Sequence, residues 1–288
     1  MTYSEALEKG ICFLEKAEVP NAHFDGEELL LFAVQKERGW LLANKSEPMA
    51  KTDEERYFSC IDRRCQRIPL QHILGRQDFM GLSFFVNESV LCPRIDTESL
   101  VEQVHKQLDA LFADEPDHKR KLLDLCTGSG CIAISCFVYA KEKGYPLSVY
   151  ATDILGDALS VAKKNCELNQ AEVTLKEGDL FAPVEGETFD VITANPPYIQ
   201  EDVIDTLMPE VRLHEPKLAL SGGADGLDYY RRITAEAASY LNPGGFLFCE
   251  IGFNQGEHVK DFFMLHHFSD VTVQKDLAGN DRVVFGHL

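Results

Sequence analysis

Asn195-Pro196-Pro197-Tyr198 follows the apolar run from Phe189 to Ala194 and carries far more hydrogen-bond acceptors than donors. Proline has no N–H, so the tetrapeptide presents the Asn195 side-chain oxygen and successive carbonyls, held stiffly beside an aromatic ring. Such a surface suits an NH2 group. An amide or exocyclic amine delocalises its nitrogen lone pair into its own π-system and is a poor nucleophile. Fixed acceptors that grip both hydrogens aim that lone pair out of plane at an electrophile, which is an interaction of the transition state. The motif points to group transfer onto a planar nitrogen. The competing reading is an ordinary turn after a buried strand, because Asn-Pro dipeptides commonly mark turns.

A second set of residues lies upstream. Asp124-Leu125-Cys126-Thr127-Gly128-Ser129-Gly130 follows an apolar run and leads into a helical pattern. Glycines there permit a tight turn and close approach of a ligand to the backbone, and the helix N-terminus offers free N–H groups. Asp153 ends the next strand-like run, where a carboxylate can accept both hydroxyls of a ribose. Gly178-Asp179-Leu180 ends a third, placing an acidic residue and an apolar neighbour where they can hold an exocyclic amine and an adenine face. Asp153 as a helix cap and Asp179 as a turn residue are the plainer alternatives. A dinucleotide satisfies the glycines and Asp153 but leaves the fourth strand end unexplained. S-adenosylmethionine fits all four, with Tyr198 able to face its cationic centre.

These residues need a scaffold that brings strand ends together. From Lys121 onward, strands are expected at 121–125, 148–152, 173–177, 189–194, 246–250, 270–275 and 282–286. Helices are expected near 131–141, 156–169, 227–241 and 255–266. This alternation predicts a mostly parallel sheet with helices on both faces and a ligand site at the C-terminal strand ends. Before it, the first 75 or so residues read as helices, with Leu7, Ile11 and Leu14 on one and Leu29-Leu30-Leu31-Phe32 on another. Thr52-Asp53-Glu54-Glu55 has the pattern of a capping box, with Phe58, Ile61, Cys65 and Ile68 on one face behind it and Arg63, Arg64 and Arg67 directed elsewhere. Residues 78–92 turn extended around Gly81, as a hairpin between two domains. Pro93-Arg94 then opens a helix through Leu100, Val101, Val104 and Leu108, followed by a polar loop from Ala113 to Lys119.

The chain has 288 residues and a formal charge of -19, from 28 basic and 47 acidic side chains. That balance repels a phosphate backbone over most of the surface and argues against nucleic acid as a direct partner. No apolar stretch is long enough for a membrane span, and the first residues lack a basic segment followed by an apolar one, so the expected location is cytoplasmic. The nine cysteines contain no C-x-x-C pair and read as reduced, mostly buried thiols; neither they nor the nine histidines show metal-ligand spacing.

Further segments carry a resemblance. Asn195 to Tyr198 after the glycine loop is similar to the amino-methyltransferases. Pro69-Leu70-Gln71-His72-Ile73-Leu74-Gly75, Pro93-Arg94 with Thr97-Glu98, and Glu215-Pro216 with Ala219-Leu220 narrow it, as do Gly222 to Leu227, Pro243-Gly244-Gly245, Glu250-Ile251-Gly252 and Asp276 to Arg282. Together they resemble the N5-glutamine methyltransferases that modify peptide chain release factors, over nearly the whole length. The resemblance implies an α/β fold: a small five-helix domain over residues 1–76 that helps grip the release factor, a linking β-hairpin over 77–92, and a seven-stranded Rossmann-like class I methyltransferase domain over 93–288. The substrate it implies is the glutamine of a Gly-Gly-Gln loop, methylated from S-adenosylmethionine without a metal. By carry-over, Asp124, Cys126, Thr127, Gly128, Ser129, Gly130, Asp153, Asp179, Leu180 and Asn195 bind the cofactor. Asn195 with the Pro196 carbonyl holds the amide, and Pro197 and Tyr198 pack against it.

Two positions depart from the family pattern. Cys126 stands where glycine is usual, costing about 1–2 kcal/mol if the backbone there needs a positive φ. Ile95-Asp96 replaces Pro-Glu. Three other activities compete with the resemblance: amino-methylation of adenine N6 or another base in DNA or RNA, cofactor binding without catalysis in a partner complex, and nicotinamide-dependent redox chemistry.

Overall fold

A computed structural model describes all 288 residues. The chain divides into two compact units, Met1–Arg76 with Met208–His214, and Gln77–Leu207 with Glu215–Leu288.

The first unit holds α1 (Tyr3–Lys16), α2 (Ala22–Val34), α3 (Arg38–Asn44), α4 (Lys51–Cys65) and α5 (Leu70–Leu74). Its capping box is at Thr2, whose hydroxyl accepts from Glu5 N–H at 3.2 Å while the Glu5 carboxylate accepts from Thr2 N–H at 2.9 Å. The pattern at Thr52 forms no such cap. Met49 N–H bonds to Met1 C=O, and α4 starts earlier, behind Ala50. Its buried face is Tyr57, Cys60, Ile61 and Arg64. Arg64 therefore points inward, contrary to expectation, because Asp25 is buried opposite it and pairs with its Nε at 2.7 Å. Glu210, on α10 (Pro209–His214), accepts from Arg64 at 2.9 Å and from both ends of the Arg67 fork at 2.7 Å. Buried charges survive only when paired in this way. Cys12 is exposed, an exception to the expected burial of the thiols.

The second unit begins at Gln77, within the first strand of the hairpin β1 (Arg76–Phe79) and β2 (Leu82–Phe85), and continues with α6 (Ile95–Asp114). Seven strands follow: β3 (Arg120–Leu125), β4 (Leu147–Asp153), β5 (Val173–Glu177), β6 (Phe189–Ala194), β7 (Leu241–Glu250), β8 (Ser269–Lys275) and β9 (Asp281–His287). Between them run α7 (Cys131–Lys143), α8 (Gly156–Leu168), α9 (Glu201–Ile204), α11 (Asp228–Ala237) and α12 (Gly256–Leu265). The order is β5-β4-β3-β6-β7-β9-β8, parallel except for β9, which runs antiparallel to both its neighbours. Leu122, Val149 and Val191 enter the core shared with α6 and α7, while Leu123, Ile192 and Leu247 enter the one shared with α11 and α12. Two apolar faces explain why the central strands read as continuous hydrophobic runs. β7 begins at Leu241, earlier than expected, because Leu241 pairs with Phe189 and a register shift absorbs the residues before Phe246. No helix is long and apolar enough to cross a membrane.

Candidate active site

Strand order reverses between β3 and β6, the place where open sheets of this kind bind ligands. Register then sets a row of residues along the C-terminal edge. Leu125 is level with Thr152 on one side and Ala194 on the other, and Ala194 is level with Cys249. One residue further along each strand come Asp153, Cys126, Asn195 and Glu250, from β4, β3, β6 and β7.

A cavity opens above this row. It is lined by Cys126, Thr127, Gly128 and Ser129 of the glycine loop, by Asp153, Ile154 and Leu155 beyond β4, and by Gly178, Asp179 and Leu180 beyond β5. Asn195 and Pro197 close it on one side, with Thr97, Leu218, Ala219 and Tyr229. The residues expected from three successive strand ends thus share one space. Some do not reach it. Asp124 is fully buried beneath the loop, Gly130 caps α7, Pro196 is buried, and Tyr198 turns towards Glu250 instead.

The Cys126 φ is 55°, so this position does adopt the left-handed conformation that glycine prefers. Asp124 takes hydrogen bonds from the Thr127 hydroxyl at 2.6 Å and the Thr193 hydroxyl at 2.8 Å, fastening the loop to β6 from below. Burial pushes its carboxyl up to about 7 against those hydrogen bonds. Asp153 accepts the Gly128 N–H at 2.8 Å on one oxygen and the Leu155 N–H at 3.0 Å on the other. Burial raises its carboxyl too. Each oxygen retains a lone pair, enough for a diol. Asp179 pairs with Arg232 at 2.6 Å in an exposed bridge, which a ligand amine can exchange for at little cost. The donor set suits a ligand with a diol, an exocyclic amine, an apolar face and positive charge.

Long-range ties brace the site. Asn165 on α8 is completely buried; it donates to Ser129 C=O at 2.9 Å and bonds both the N–H and the C=O of Phe85, joining the hairpin to the glycine loop. Arg94 reaches both oxygens of Glu215 at 2.7 and 2.8 Å, and Glu98 accepts from Met80 N–H at 2.7 Å, so both residues hold chain segments together. Gln255 donates to Tyr198 C=O at 3.0 Å and to Gly226 C=O at 3.1 Å. Asp276 accepts the Ala278 and Asn280 N–H groups and grips the Arg282 guanidinium, whose charge is felt by Tyr198 and Glu250.

Sequence reasoning missed three parts of this site. The segment from Ser89 to Arg94, read as hairpin and helix start, is a cavity wall. Tyr229 enters from α11 with no local signal. Glu250 figures in the sequence as the end of a buried strand and as part of the Glu250-Ile251-Gly252 segment of the resemblance, with no role attached to it.

Two family models match: the PrmC N-terminal domain over residues 5–75 and the methyltransferase small domain over residues 95–223. Among curated proteins, the release factor glutamine methyltransferase of Geobacter sulfurreducens is 41% identical over 96% of this chain and 93% of its own. Those of Moorella thermoacetica and Bacillus cereus are 41% and 39% identical, covering 98% and 100% of this chain and 97% and 100% of theirs. Among solved structures, a Pyrococcus furiosus methyltransferase superposes with TM-score 0.51 at 19% identity, covering 78% of this chain and 98% of that one. A T. thermophilus 16S rRNA methyltransferase in complex with AdoMet and guanosine gives 0.50 at 17% identity, covering 74% and 49%. At such identities these two establish the fold alone.

Proposed function

The chain belongs to the family of release factor glutamine methyltransferases, and from that premise we propose that it methylates the side-chain amide nitrogen of a glutamine in a peptide chain release factor. The methyl donor is S-adenosylmethionine, which supplies an electrophilic methyl group on a sulfonium. What carries the reading is the meeting, at the reversal of the sheet, of an acceptor-rich loop with a cavity whose polar groups suit that donor.

Asp153 takes the ribose hydroxyls with its spare lone pairs. Asp179 and the Leu180 side chain receive the adenine, and the glycine loop with the α7 N-terminus receives the amino-acid end. Asn195 Oδ1 and the Pro196 carbonyl each accept one hydrogen of the substrate amide. Pro197 offers no competing N–H, and Tyr198 stiffens the loop through its carbonyl bond to Gln255. These residues act by positioning and electrostatics, with no covalent enzyme intermediate. The helical unit over residues 1–76 is the candidate grip on the release factor beyond its Gly-Gly-Gln loop, with residues 77–92 as the link to the methyltransferase domain. The charge of -19 supports a protein substrate over nucleic acid. We place the reaction in the cytoplasm, with that substrate.

The test is mass spectrometry of a purified release factor after incubation with protein and cofactor, with duplex DNA treated in parallel. The expected result is one added methyl on a single glutamine and none on the DNA. Label on DNA alone refutes the reading.

A further inference from the structure

Glu250 is 2% exposed, ends β7, and comes beside Asn195 because Cys249 and Ala194 are level across the sheet. It does not line the cavity, and neither catalysis nor cofactor binding as described above uses it. Asn195 Nδ2 donates to the Thr97 hydroxyl at 3.3 Å, and both groups stand close enough to the Glu250 carboxylate to favour its ionised form. The Tyr198 hydroxyl lies 3.5 Å from Oε1, and Oε2 has no hydrogen-bond partner.

The chemistry of these groups fixes a direction. An ionised carboxylate only accepts, so the Thr97 hydrogen turns towards Glu250. That leaves the Thr97 oxygen as an acceptor, and the Asn195 Nδ2 lies 3.3 Å from it. Both neighbours behind Asn195 therefore demand its NH2 group. We propose that Glu250, assisted by Thr97, is a positioning residue that locks the Asn195 carboxamide with Nδ2 inward, leaving Oδ1 as the atom that faces the substrate amide. The inference rests on the proposed reaction for the identity of that amide. The locked orientation itself belongs to the protein alone. Without the lock, an Asn195 turned over would present a donor to a donor.

Burial pushes the Glu250 carboxyl up to about 7, against the pull of Thr97, Arg282 and Asn195. Once protonated, it can donate to Oδ1 and accommodate the wrong orientation. The other charged or titratable groups facing it are Arg282 from β9, Asp96 from α6, Tyr230 from α11, Cys131 from α7, and Tyr198, whose phenol burial pushes well up. The lock therefore strengthens as pH rises through about 7.

Glu250→Gln keeps the volume but offers both a donor and an acceptor, so it abolishes the preference. The experiment combines single-turnover transfer, cofactor calorimetry and NMR of the Asn195 side-chain amide in wild type, Glu250→Gln, Asn195→Ala and the double variant. Expected is a roughly 10–100-fold slower transfer in Glu250→Gln, the usual scale for an outer partner, with unchanged cofactor affinity. The wild-type rise in rate through neutral pH flattens in that variant. In the Asn195→Ala background the second substitution adds less than about twofold, since the two residues act as one unit. The Asn195 NH2 protons exchange faster with solvent in Glu250→Gln than in wild type. Should that variant not fold, Thr97→Val removes the other inward acceptor and shows the same pattern at smaller size. Wild-type rates in Glu250→Gln, or full additivity with Asn195→Ala, overturn the proposal. A wild type that transfers no methyl yet protects its Asn195 amide refutes the reaction and leaves the orientation standing.

Discussion

Two loops leave adjacent strands where the sheet reverses, and they differ in what shapes them. The loop after β3 relies on its own backbone: Cys126, Gly128 and Gly130 all have positive φ, at 55°, 54° and 80°. Its ties run through Thr127 and Asp124 within the segment, Asp153 on the next strand, and two buried side chains behind it, Asn165 and Thr193. The loop after β6 is held by side chains distant in sequence: Thr97 from α6, Glu250 from β7 and Gln255 ahead of α12. Strain stored in a backbone shapes a cradle for a bound molecule. Orientation imposed on a single carboxamide requires partners on several sides. Damage to the first loop is therefore expected in stability and cofactor affinity, and damage to the second in the chemical step.

Asn195→Ala gives the largest effect. Turnover falls on the order of 10²–10³, as for loss of one preorganised polar contact, read by single-turnover transfer. Near-normal transfer would break the division between the loops. Asp153→Ala comes next, removing the hydrogen-bonding carboxylate from the cofactor side. Its Kd for cofactor rises roughly 10–100-fold by calorimetry, while turnover at saturating cofactor changes little. A collapse of turnover with affinity intact would mean that Asp153 serves the chemistry.

Two glycines sharpen the comparison within the first loop. A Cβ at Gly130 would stand 3.1 Å from Ile134 Cδ1 and 3.2 Å from Ala162 Cβ, while one at Gly128 meets nothing within 4 Å. Gly128→Ala should cost about 1–2 kcal/mol, from conformation alone. Gly130→Ala should cost roughly 1–3 kcal/mol more through crowding, measured by denaturant unfolding. Equal costs would show that packing against α8 is immaterial there. Smallest is Cys126→Gly. It relieves about 1–2 kcal/mol of left-handed strain and gives back about 0.5–1 kcal/mol to chain entropy, so the melting temperature rises slightly. A fall would show that the thiol contributes more than its backbone costs.

The same contrast governs what could be read beforehand. The glycine loop, Asp153 and the strands on either side of them are legible because their reasons are local: positive φ, a helix N-terminus and apolar runs buried on both faces. The acceptor character of Asn195 to Tyr198 is legible too, since it follows from proline having no N–H. What holds that loop is not. Nothing near Glu250 in the chain says that it stands beside Asn195; only the register of β6 against β7 does. Arg64 reads as directed away from the apolar face of α4 until Asp25, buried opposite it, gives it a reason to turn inward. The Asn242 to Gly245 segment has the composition of a turn, yet β7 starts before it because Phe189 needs a partner on that edge.

The most direct test is a crystal structure of the protein with S-adenosylhomocysteine and a release factor carrying its glutamine. The account predicts the glutamine amide nitrogen about 3 Å from Asn195 Oδ1, directed at the sulfur of the bound product. An amide held elsewhere, with residue 195 remote from the sulfur, contradicts it.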